Sequence, residues 1–257
     1  EWDGIREWNN PLPRWWLWTF YATIAWGVWY TVAYPAWPLI SQATSGYLGF
    51  STRADVAAEI AAVEAGRAGI MERLAAADLT QLPNDPELAA FAVDAGESVF
   101  AANCSQCHGA GAAGVQASGF PSLLDDDWLW GGEPELVLGS ISGGRIGAMP
   151  GWEAVLGAAG VDQVTAYVMA MAGGGEPTGA AVAGRDKYLQ FCVACHGVDG
   201  RGNQALGAPS LADGIWLYGD DEASIRQSIA QGRQGQMPAH EPLLGPDRVR
   251  LMAAYVL

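Results

Sequence analysis

One five-residue pattern contains every cysteine of the chain, and it occurs twice. Its copies are Cys104-Ser105-Gln106-Cys107-His108 and Cys192-Val193-Ala194-Cys195-His196, which lie 88 residues apart. The same offset, without a gap, superposes residues on both sides of the pattern: Gly96 on Gly184, Phe100 on Tyr188, Pro121 on Pro209, Trp128 on Trp216, Met149 on Met237 and Tyr167 on Tyr255. The chain therefore contains an internal duplication, and each copy must fold around the same pattern.

The pattern Cys-x-x-Cys-His predicts covalently attached haem, because two thiols add to the haem vinyl groups and the adjacent His ligates the iron. The alternatives fit less well. A zinc half-site usually has its second Cys pair about 15–20 residues away, and a redox disulfide does not require the His. We therefore expect two c-type haems. The attachment residues are Cys104, Cys107, Cys192 and Cys195, and His108 and His196 are axial ligands.

The sixth iron ligands are predicted from the same offset. Met149 follows Cys104 by 45 residues, Met237 follows Cys192 by 45 residues, and a proline follows each. A single Met is usually core filler, but two Met-Pro pairs at matched positions favour axial ligands. His/Met coordination fills both axial positions and raises the reduction potential. We therefore expect single-electron transfer and no catalytic residue.

Three other residues near the predicted haems have weaker assignments. Arg145 and Arg233 precede the two Met residues by four positions. Each is a candidate for pairing with a haem propionate, and the alternative is a solvated loop arginine. His240 has no haem pattern around it and is replaced by Trp152 in the first copy, so we expect a surface residue or a neighbour of the ligands.

The N-terminal segment predicts a membrane anchor. No charged residue occurs between Arg14 and Arg53, and residues 15–34 are long enough to cross about 30 Å of hydrocarbon as a helix. Trp and Tyr crowd both ends of this stretch, as at membrane interfaces. The alternative, a cleaved signal peptide, has a shorter apolar core of about 7–15 residues. Because c-type haem is attached on the periplasmic side in bacteria, we place the segment after residue 40 in the periplasm. The thin basic flank of Arg6 and Arg14 agrees only weakly with this orientation.

Acidic residues dominate the first copy. The net charge is −15, and residues 94–181 hold ten acidic residues and one basic residue. This charge argues against nucleic acid and favours electrostatic steering of a basic protein partner, the alternative being a surface that serves solubility. The candidate docking residues are Asp125, Asp126, Asp127, Glu133 and Glu135.

The predicted fold class is mainly α, with one transmembrane helix, a helical spacer and two tandem class I cytochrome c domains. We assign residues 1–50 to the anchor, 51–93 to the spacer, 94–173 to the first domain and 174–257 to the second. The spacer is expected to lie on a partner or on the membrane. Within each domain the first and last helices should cross where Gly96 and Phe100 meet Tyr167, and where Gly184 and Tyr188 meet Tyr255.

The whole chain resembles the membrane-bound dihaem subunit III of cbb3-type cytochrome c oxidases, known as CcoP or FixP. The most specific match is Asn9-Asn10-Pro11-Leu12-Pro13-Arg14-Trp15-Trp16-Leu17-Trp18, which is similar to the start of that family's membrane helix. The resemblance implies electron transfer from a cytochrome c or a cytochrome bc complex, through both haems, to a monohaem subunit and then to the haem-copper subunit that reduces oxygen and pumps protons. It also implies a bacterial inner membrane location.

Two other functions remain open from the sequence. One is an anchored dihaem carrier that serves a different redox complex. The other is a dihaem peroxidase, which requires an open iron site that neither copy offers.

Overall fold

The computed structural model describes residues 3–4 and 10–257, and Arg6 and Asn9 of the predicted N-terminal features lie outside them. The fold is mainly helical, as predicted. The helices are α1 Arg14–Ala33, α2 Thr52–Ala76, α3 Pro86–Asn103, α4 Ser105–His108, α5 Pro134–Gly143, α6 Glu153–Ala172, α7 Ala180–Phe191, α8 Val193–His196, α9 Glu222–Gln231, α10 Glu241–Leu244 and α11 Pro246–Val256. The strands are β1 Arg145–Pro150 and β2 Gly232–Met237, and short 3-10 helices span Leu79–Asn84 and Gln116–Ser118.

The chain divides into two bodies, residues 1–68 and residues 69–257, and the division falls within α2. In the N-terminal body, α1 begins after Pro13 and ends before Pro35. The carbonyls of Val32 and Ala33 at its end accept hydrogen bonds from Tyr47 and Leu48, so the following loop caps this helix. Gly46 has φ +66° and lies against the Ala33 carbonyl, where a Cβ would clash.

Helix α1 is apolar on all sides, and its large side chains are exposed. These are Trp15, Trp16, Trp18, Phe20, Tyr21, Ile24, Trp26, Val28, Trp29, Tyr30 and Val32. An exposed helix without a polar face is unusual in water and typical of a lipid-facing segment. Within the described residues, a test of length, mean hydropathy and charge selects α6 as a possible span and does not select α1.

The chemistry of the side chains explains this result. Hydropathy scales score Trp and Tyr as weakly polar because their rings carry N–H and O–H groups, although both residues prefer membrane interfaces. Helix α6, by contrast, is interrupted at Gly157 by a φ of 64° and buries Val161, Val164 and Val168 in a protein core. The apolar character of α6 is therefore explained by its core position.

The C-terminal body contains two helical lobes. We call the group α3, α5 and α11 the first lobe and the group α6, α7 and α9 the second lobe. The first lobe buries Leu88, Phe100, Val137, Ile141, Val249 and Met252. The second buries Val161, Val164, Val168, Tyr188, Ile225 and Ile229. Each lobe thus combines helices from both copies of the repeat.

The prediction that the first and last helices of the same repeat cross each other is wrong, because each first helix crosses the last helix of the other repeat. Tyr255 lies against Gly96, where an added Cβ would come within 2.6 Å of the Tyr255 Cβ, and its ring lies 5.6 Å from that of Phe100. Tyr167 lies against Gly184, and its ring is 5.3 Å from that of Tyr188. The Gly-aromatic chemistry is as expected, but the last helices are exchanged between the repeats.

A two-stranded antiparallel ribbon lies where the chain passes from one lobe to the other. Strand β1 connects α5 to α6, and β2 connects α9 to α10. Strand β1 pairs with β2 so that Arg145 is opposite Met237 and Met149 is opposite Arg233. Gly144 directly precedes β1 with φ +70°, and Gly232 begins β2 with φ +78°. At both positions no side chain fits against the backbone of the opposite Met-Pro segment. The ribbon therefore brings an arginine from one repeat next to the methionine of the other.

The second half of the predicted spacer belongs to the core, which corrects the expectation that the spacer only lies on a partner or membrane. Leu74, Leu79 and Leu82 are buried in the first-lobe cluster. Arg250 of α11 donates from Nε to the Leu74 carbonyl at 2.8 Å and from a terminal nitrogen to the Ala77 carbonyl. The Leu74 carbonyl also accepts from the Ala77 amide at 3.3 Å, so Arg250 adds donors to the carbonyls where α2 ends.

Candidate haem-binding site

One continuous cavity of about 750 Å³ in the C-terminal body is lined by both Cys-x-x-Cys-His patterns. Its wall includes all eight predicted attachment and ligand residues, namely Cys104, Cys107, His108, Met149, Cys192, Cys195, His196 and Met237. Most of the remaining wall is aliphatic or aromatic, as is usual for the site of a large apolar cofactor.

Each pattern folds as a single helical turn that directs its residues to the cavity wall. The Cys104 carbonyl accepts from the amides of Cys107 and His108, at 3.1 and 3.0 Å. In the second copy the Cys192 carbonyl accepts from Cys195 and His196, at 3.2 and 2.9 Å. The His carbonyl then closes the following loop by accepting from Gly114 or Gly202. The equivalent local geometry agrees with equivalent chemistry at the two sites.

Both predicted His ligands have a fixed tautomer. The Nδ1 of His108 lies 2.9 Å from the Pro121 carbonyl, and the Nδ1 of His196 lies 3.0 Å from the Pro209 carbonyl. A carbonyl only accepts hydrogen bonds, so Nδ1 carries the proton and Nε2 keeps the lone pair that a metal requires. Burial lowers the pKa of His196, an effect partly offset by its bond to Pro209, and this favours the neutral, ligating form.

The four cysteines are free thiols in half-buried or exposed positions. Burial raises the pKa of Cys104, and it raises the pKa of Cys192 to about 11, with a smaller contribution from the neighbouring Cys of each pair. Reactive redox cysteines and metal thiolates have lowered pKa values in polar surroundings. These apolar surroundings instead suit neutral thioether bonds.

Two independent repeats would keep each methionine in the same lobe as the Cys-x-x-Cys-His pattern of its own repeat. The structure shows the opposite arrangement. Met237 of the second repeat packs on the first-lobe cluster, and Met149 of the first repeat packs on the second-lobe cluster. The structure therefore groups Met237 with the lobe that carries His108, and Met149 with the lobe that carries His196.

The two arginines have closely matched surroundings. Arg145 donates from Nε to the Ser140 hydroxyl at 2.8 Å, and its guanidinium lies 5.1 Å from the ring centre of Trp130. Arg233 donates to Ser228 at 2.8 Å and lies 4.4 Å from the ring of Tyr218. Both arginines are half-buried in the cavity wall. This position is compatible with propionate pairing, and the side chains are not solvated loop residues.

Sequence reasoning missed a reciprocal contact between the repeats. The Trp130 ring lies against Gly207 and the Tyr218 ring against Gly119, so that a Cβ at either glycine would clash with the ring. Gln116 also donates to the Trp216 carbonyl at 2.9 Å. The two rings and the two glycines are related by the 88-residue offset, which was the available signal.

The acidic residues of the first repeat divide into two groups. Asp126, Glu133 and Glu135 are exposed, whereas Asp125 and Asp127 are half-buried. Asp125 accepts the Asp127 amide at 3.2 Å, and burial raises the pKa of Asp127, with further contributions from Asp213 and Asp125. Asp126, Glu133 and Glu135 are therefore the members of this set that are open to a partner.

The donor set fits haem. Imidazole nitrogens, thioether sulfurs and thiols line a mostly apolar cavity, and the buried Nδ1 of His240 has no hydrogen-bond partner among the described residues. A cofactor with an apolar ring and a polar edge would fill this wall and supply an acceptor. Within the described residues, no group of three or more His, Cys, Asp and Glu side chains forms a separate metal site.

Comparison with known proteins agrees with this chemistry. The family model described as cytochrome c oxidase, cbb3-type, subunit III matches residues 91–168 and 179–256. The model described as the N-terminal domain of cytochrome oxidase-cbb3, FixP, matches residues 1–41. The chain belongs to the cbb3-type oxidase subunit III family. The predicted resemblance and the two tandem cytochrome c domains are thus confirmed.

Curated relatives of the family align along the full chain. Cbb3-type cytochrome c oxidase subunit FixP of Bradyrhizobium diazoefficiens is 48% identical over 267 residues. FixP of Rhizobium meliloti is 44% identical over 265 residues, and subunit CcoP of Cereibacter sphaeroides is 44% identical over 267 residues. Each alignment covers 100% of this chain and 91% of the relative.

Proposed function

We propose that this chain is the electron-transfer subunit III of a cbb3-type cytochrome c oxidase and relays electrons through two c-type haems. The observation that carries the proposal is the matched pair of His imidazoles with fixed tautomers, each in a lobe that also holds a methionine. The relatives named above are subunits of such oxidases, which supports the assignment to this complex.

The two haem sites take their ligands from both repeats in this proposal. Cys104 and Cys107 form thioether bonds in the first lobe, where the iron ligands are His108 and Met237. Cys192 and Cys195 do so in the second lobe, where the ligands are His196 and Met149. Met237 packs on the first-lobe cluster and Met149 packs on the second-lobe cluster, which supports this pairing. The sequence-based domains 94–173 and 174–257 then describe the repeats, while each haem site is built from both.

The ligand set limits the chemistry to electron transfer. A bound c-type haem supplies a one-electron redox centre. With haem bound, the His Nε2 and the Met thioether would be the two protein ligands of the iron. They would keep oxygen and peroxide from it, and the thioether would favour the reduced state. The apolar wall excludes water and limits the reorganisation that accompanies electron transfer. This reasoning also argues against a peroxidase.

Helix α1 is the proposed membrane span. It contains 20 residues, which corresponds to about 30 Å at 1.5 Å per residue. The exposed aromatic side chains on all sides support contact with lipid or with membrane helices of the oxidase. We propose residues 1–50 as the anchor and residues 51–93 as the connection to the repeats. Covalent haem attachment supports a periplasmic location for both repeats.

Purification of the intact complex tests this function. A tagged full-length chain, solubilised in mild detergent, should co-purify with copper and b-type haem from the catalytic subunit and with a monohaem cytochrome c. A matched chain in which charged residues interrupt the apolar surface of α1 should lose these partners and keep both c-type haems. Consistent absence of copper and b-type haem from the intact preparation would favour a carrier for another redox complex.

The donor is proposed to be a basic cytochrome c or a cytochrome bc complex that approaches the exposed acidic group. Asp126, Glu133 and Glu135 attract such a donor over about a Debye length, so charge reversal should slow electron entry most at low salt. The matched control reverses three exposed glutamates elsewhere, Glu59, Glu72 and Glu176. Equal rates and equal salt dependence in the two variants would place the donor on another surface.

A further inference from the structure

His240 and Trp152 hold equivalent positions in the two lobes. The His240 amide donates to the Ile141 carbonyl at 3.0 Å, and the Trp152 amide donates to the Ile229 carbonyl at 2.9 Å. Both pairs are related by the 88-residue offset, and each residue follows its predicted Met ligand by three positions. A difference between these two side chains is therefore a difference between two otherwise matched haem sites.

The second lobe fills this position with aromatic packing. The Trp152 ring lies 5.6 Å from the ring of Phe191, and Trp152 packs on the second-lobe cluster. In the first lobe Asn103 stands in the place of Phe191, and its amide nitrogen donates to the Val99 carbonyl at 2.8 Å. The wall of the first site is thus polar where the wall of the second site is aromatic.

The His240 ring carries an unsatisfied buried atom. Its Nδ1 is removed from solvent and has no hydrogen-bond partner among the described residues. Buried polar groups in folded proteins nearly always have a partner, because leaving one unpaired is costly. His240 lines the cavity together with Cys104, His108 and Met237. The missing hydrogen-bond partner of Nδ1 therefore belongs to the group that this cavity binds.

The chemistry of a c-type haem identifies the acceptor. Once both vinyl groups are used in thioether bonds, the remaining hydrogen-bonding groups of the ring are its propionate carboxylates, which accept strong charge-assisted bonds. The His240 segment also lies next to Arg145, because Gly144 is in contact with the backbone of Pro238 and Ala239. The backbone that leads to His240 thus adjoins the backbone that leads to Arg145.

We propose that the Nδ1–H of His240 donates to a propionate of the haem attached at Cys104 and Cys107, and that this bond makes the two haems unequal in reduction potential. This inference rests on the proposed function. A propionate charge stabilises the oxidised iron, and a hydrogen bond to it weakens that stabilisation. The bond therefore raises the potential of the first haem, and the matched position of the second lobe holds the Trp152 indole in place of an imidazole.

The test uses the full-length chain within its oxidase complex and compares His240→Phe with His240→Asn. Phenylalanine keeps a planar ring without a donor, whereas the Asn amide nitrogen can occupy the place of Nδ1. We expect His240→Phe to lower the reduction potential of the first haem. The ratio of electrons on the two haems should then shift about fivefold toward the second haem. His240→Asn should restore most of the first haem's potential. Val182→Ala, at an exposed residue outside the cavity wall, is the control and should leave both haem potentials unchanged.

Resonance Raman spectra identify the acceptor directly. The propionate bending band of the first haem should shift in His240→Phe and return in His240→Asn, while the Met–iron charge-transfer band persists in both. An unchanged propionate band overturns the proposal. So does a change confined to the Met–iron band, which would identify the Met237 sulfur as the acceptor. Failure of the proposed function would be distinct, because the unmodified chain would then lack two low-spin c-type spectra.

Discussion

Single residues distinguish the two haem sites within a nearly symmetric framework. The Tyr188 hydroxyl donates to the Gly197 carbonyl at 2.7 Å and so restrains the loop that follows His196. Its counterpart in the first lobe, Phe100, has no hydroxyl. Burial raises the pKa of Tyr188 well above its ordinary value, so the donor stays protonated.

Removal of this hydroxyl should weaken the second site selectively. We expect Tyr188→Phe to cost about 1 kcal/mol of stability, the usual net contribution of one hydrogen bond. The measurement is the guanidinium concentration at which the His196-ligated haem loses its low-spin spectrum. The first haem serves as an internal reference, and exposed Tyr47→Phe is the control. Equal shifts at both haems would contradict a local role.

Glycine substitutions test the close helix crossings. At Gly96 an added Cβ would lie 2.6 Å from Tyr255, so Gly96→Ala must displace helix α11 and should destabilise the first lobe by about 1–3 kcal/mol. Gly66 in α2 has no neighbour within 4 Å of an added Cβ, and Gly66→Ala should be neutral or stabilising. Thermal unfolding of the first haem site provides the comparison, and similar melting temperatures would argue against the crossing.

At the scale of secondary-structure elements, helix α11 contacts three other helices. It packs on α3 and α5, and its Arg250 caps the carbonyl end of α2. Removing the guanidinium takes one donor from the Leu74 carbonyl and one from the Ala77 carbonyl. We expect Arg250→Met to destabilise the first lobe by about 1–2 kcal/mol and to increase amide exchange near residues 74–78. Exposed Arg185→Met is the matched control, and unchanged exchange in the Arg250 variant would contradict the cap.

The elements themselves were largely predictable from the sequence, but their pairing was not. Helices α5 and α9 begin at Pro134 and Glu222, two positions that the 88-residue offset relates. The exchange of last helices had no sequence signal, because Gly96 and Gly184 offer the same gap and Tyr167 and Tyr255 the same ring. Either tyrosine fits either glycine, so packing chemistry alone leaves the choice open. The pairing of β1 with β2 selects the exchanged arrangement of the last helices. The sequence does not predict this ribbon, because its Gly-rich strands lack the alternation of apolar and polar residues that is typical of strands.

At the scale of the whole molecule, the two haem sites depend on each other. The first lobe lacks its last helix and its methionine until the second repeat has been synthesised and folded. We therefore expect a chain that ends after α6, at Ala172, to lose the low-spin His/Met spectrum of the first haem. The exposed apolar faces of α3 and α5 should promote aggregation. A stable low-spin His/Met domain in this truncated chain would indicate independently folding repeats.

The asymmetry between the lobes also suits a relay. The exposed acidic group lies in the first repeat, and His240 and Tyr188 differentiate the two sites. Unequal potentials would set how an electron is shared between the two haems, and both sites line one cavity of the C-terminal body.

Assignment of each methionine to its iron tests the account most directly. Cys192→Ala leaves the second haem attached by one thioether bond, and its free vinyl group shifts that haem's absorption band so that the two haems are distinguishable. In this background we predict that Met237→Ala abolishes the Met–iron charge-transfer band of the unshifted first haem, and that Met149→Ala abolishes that of the shifted second haem. The opposite pattern would contradict the exchanged sites.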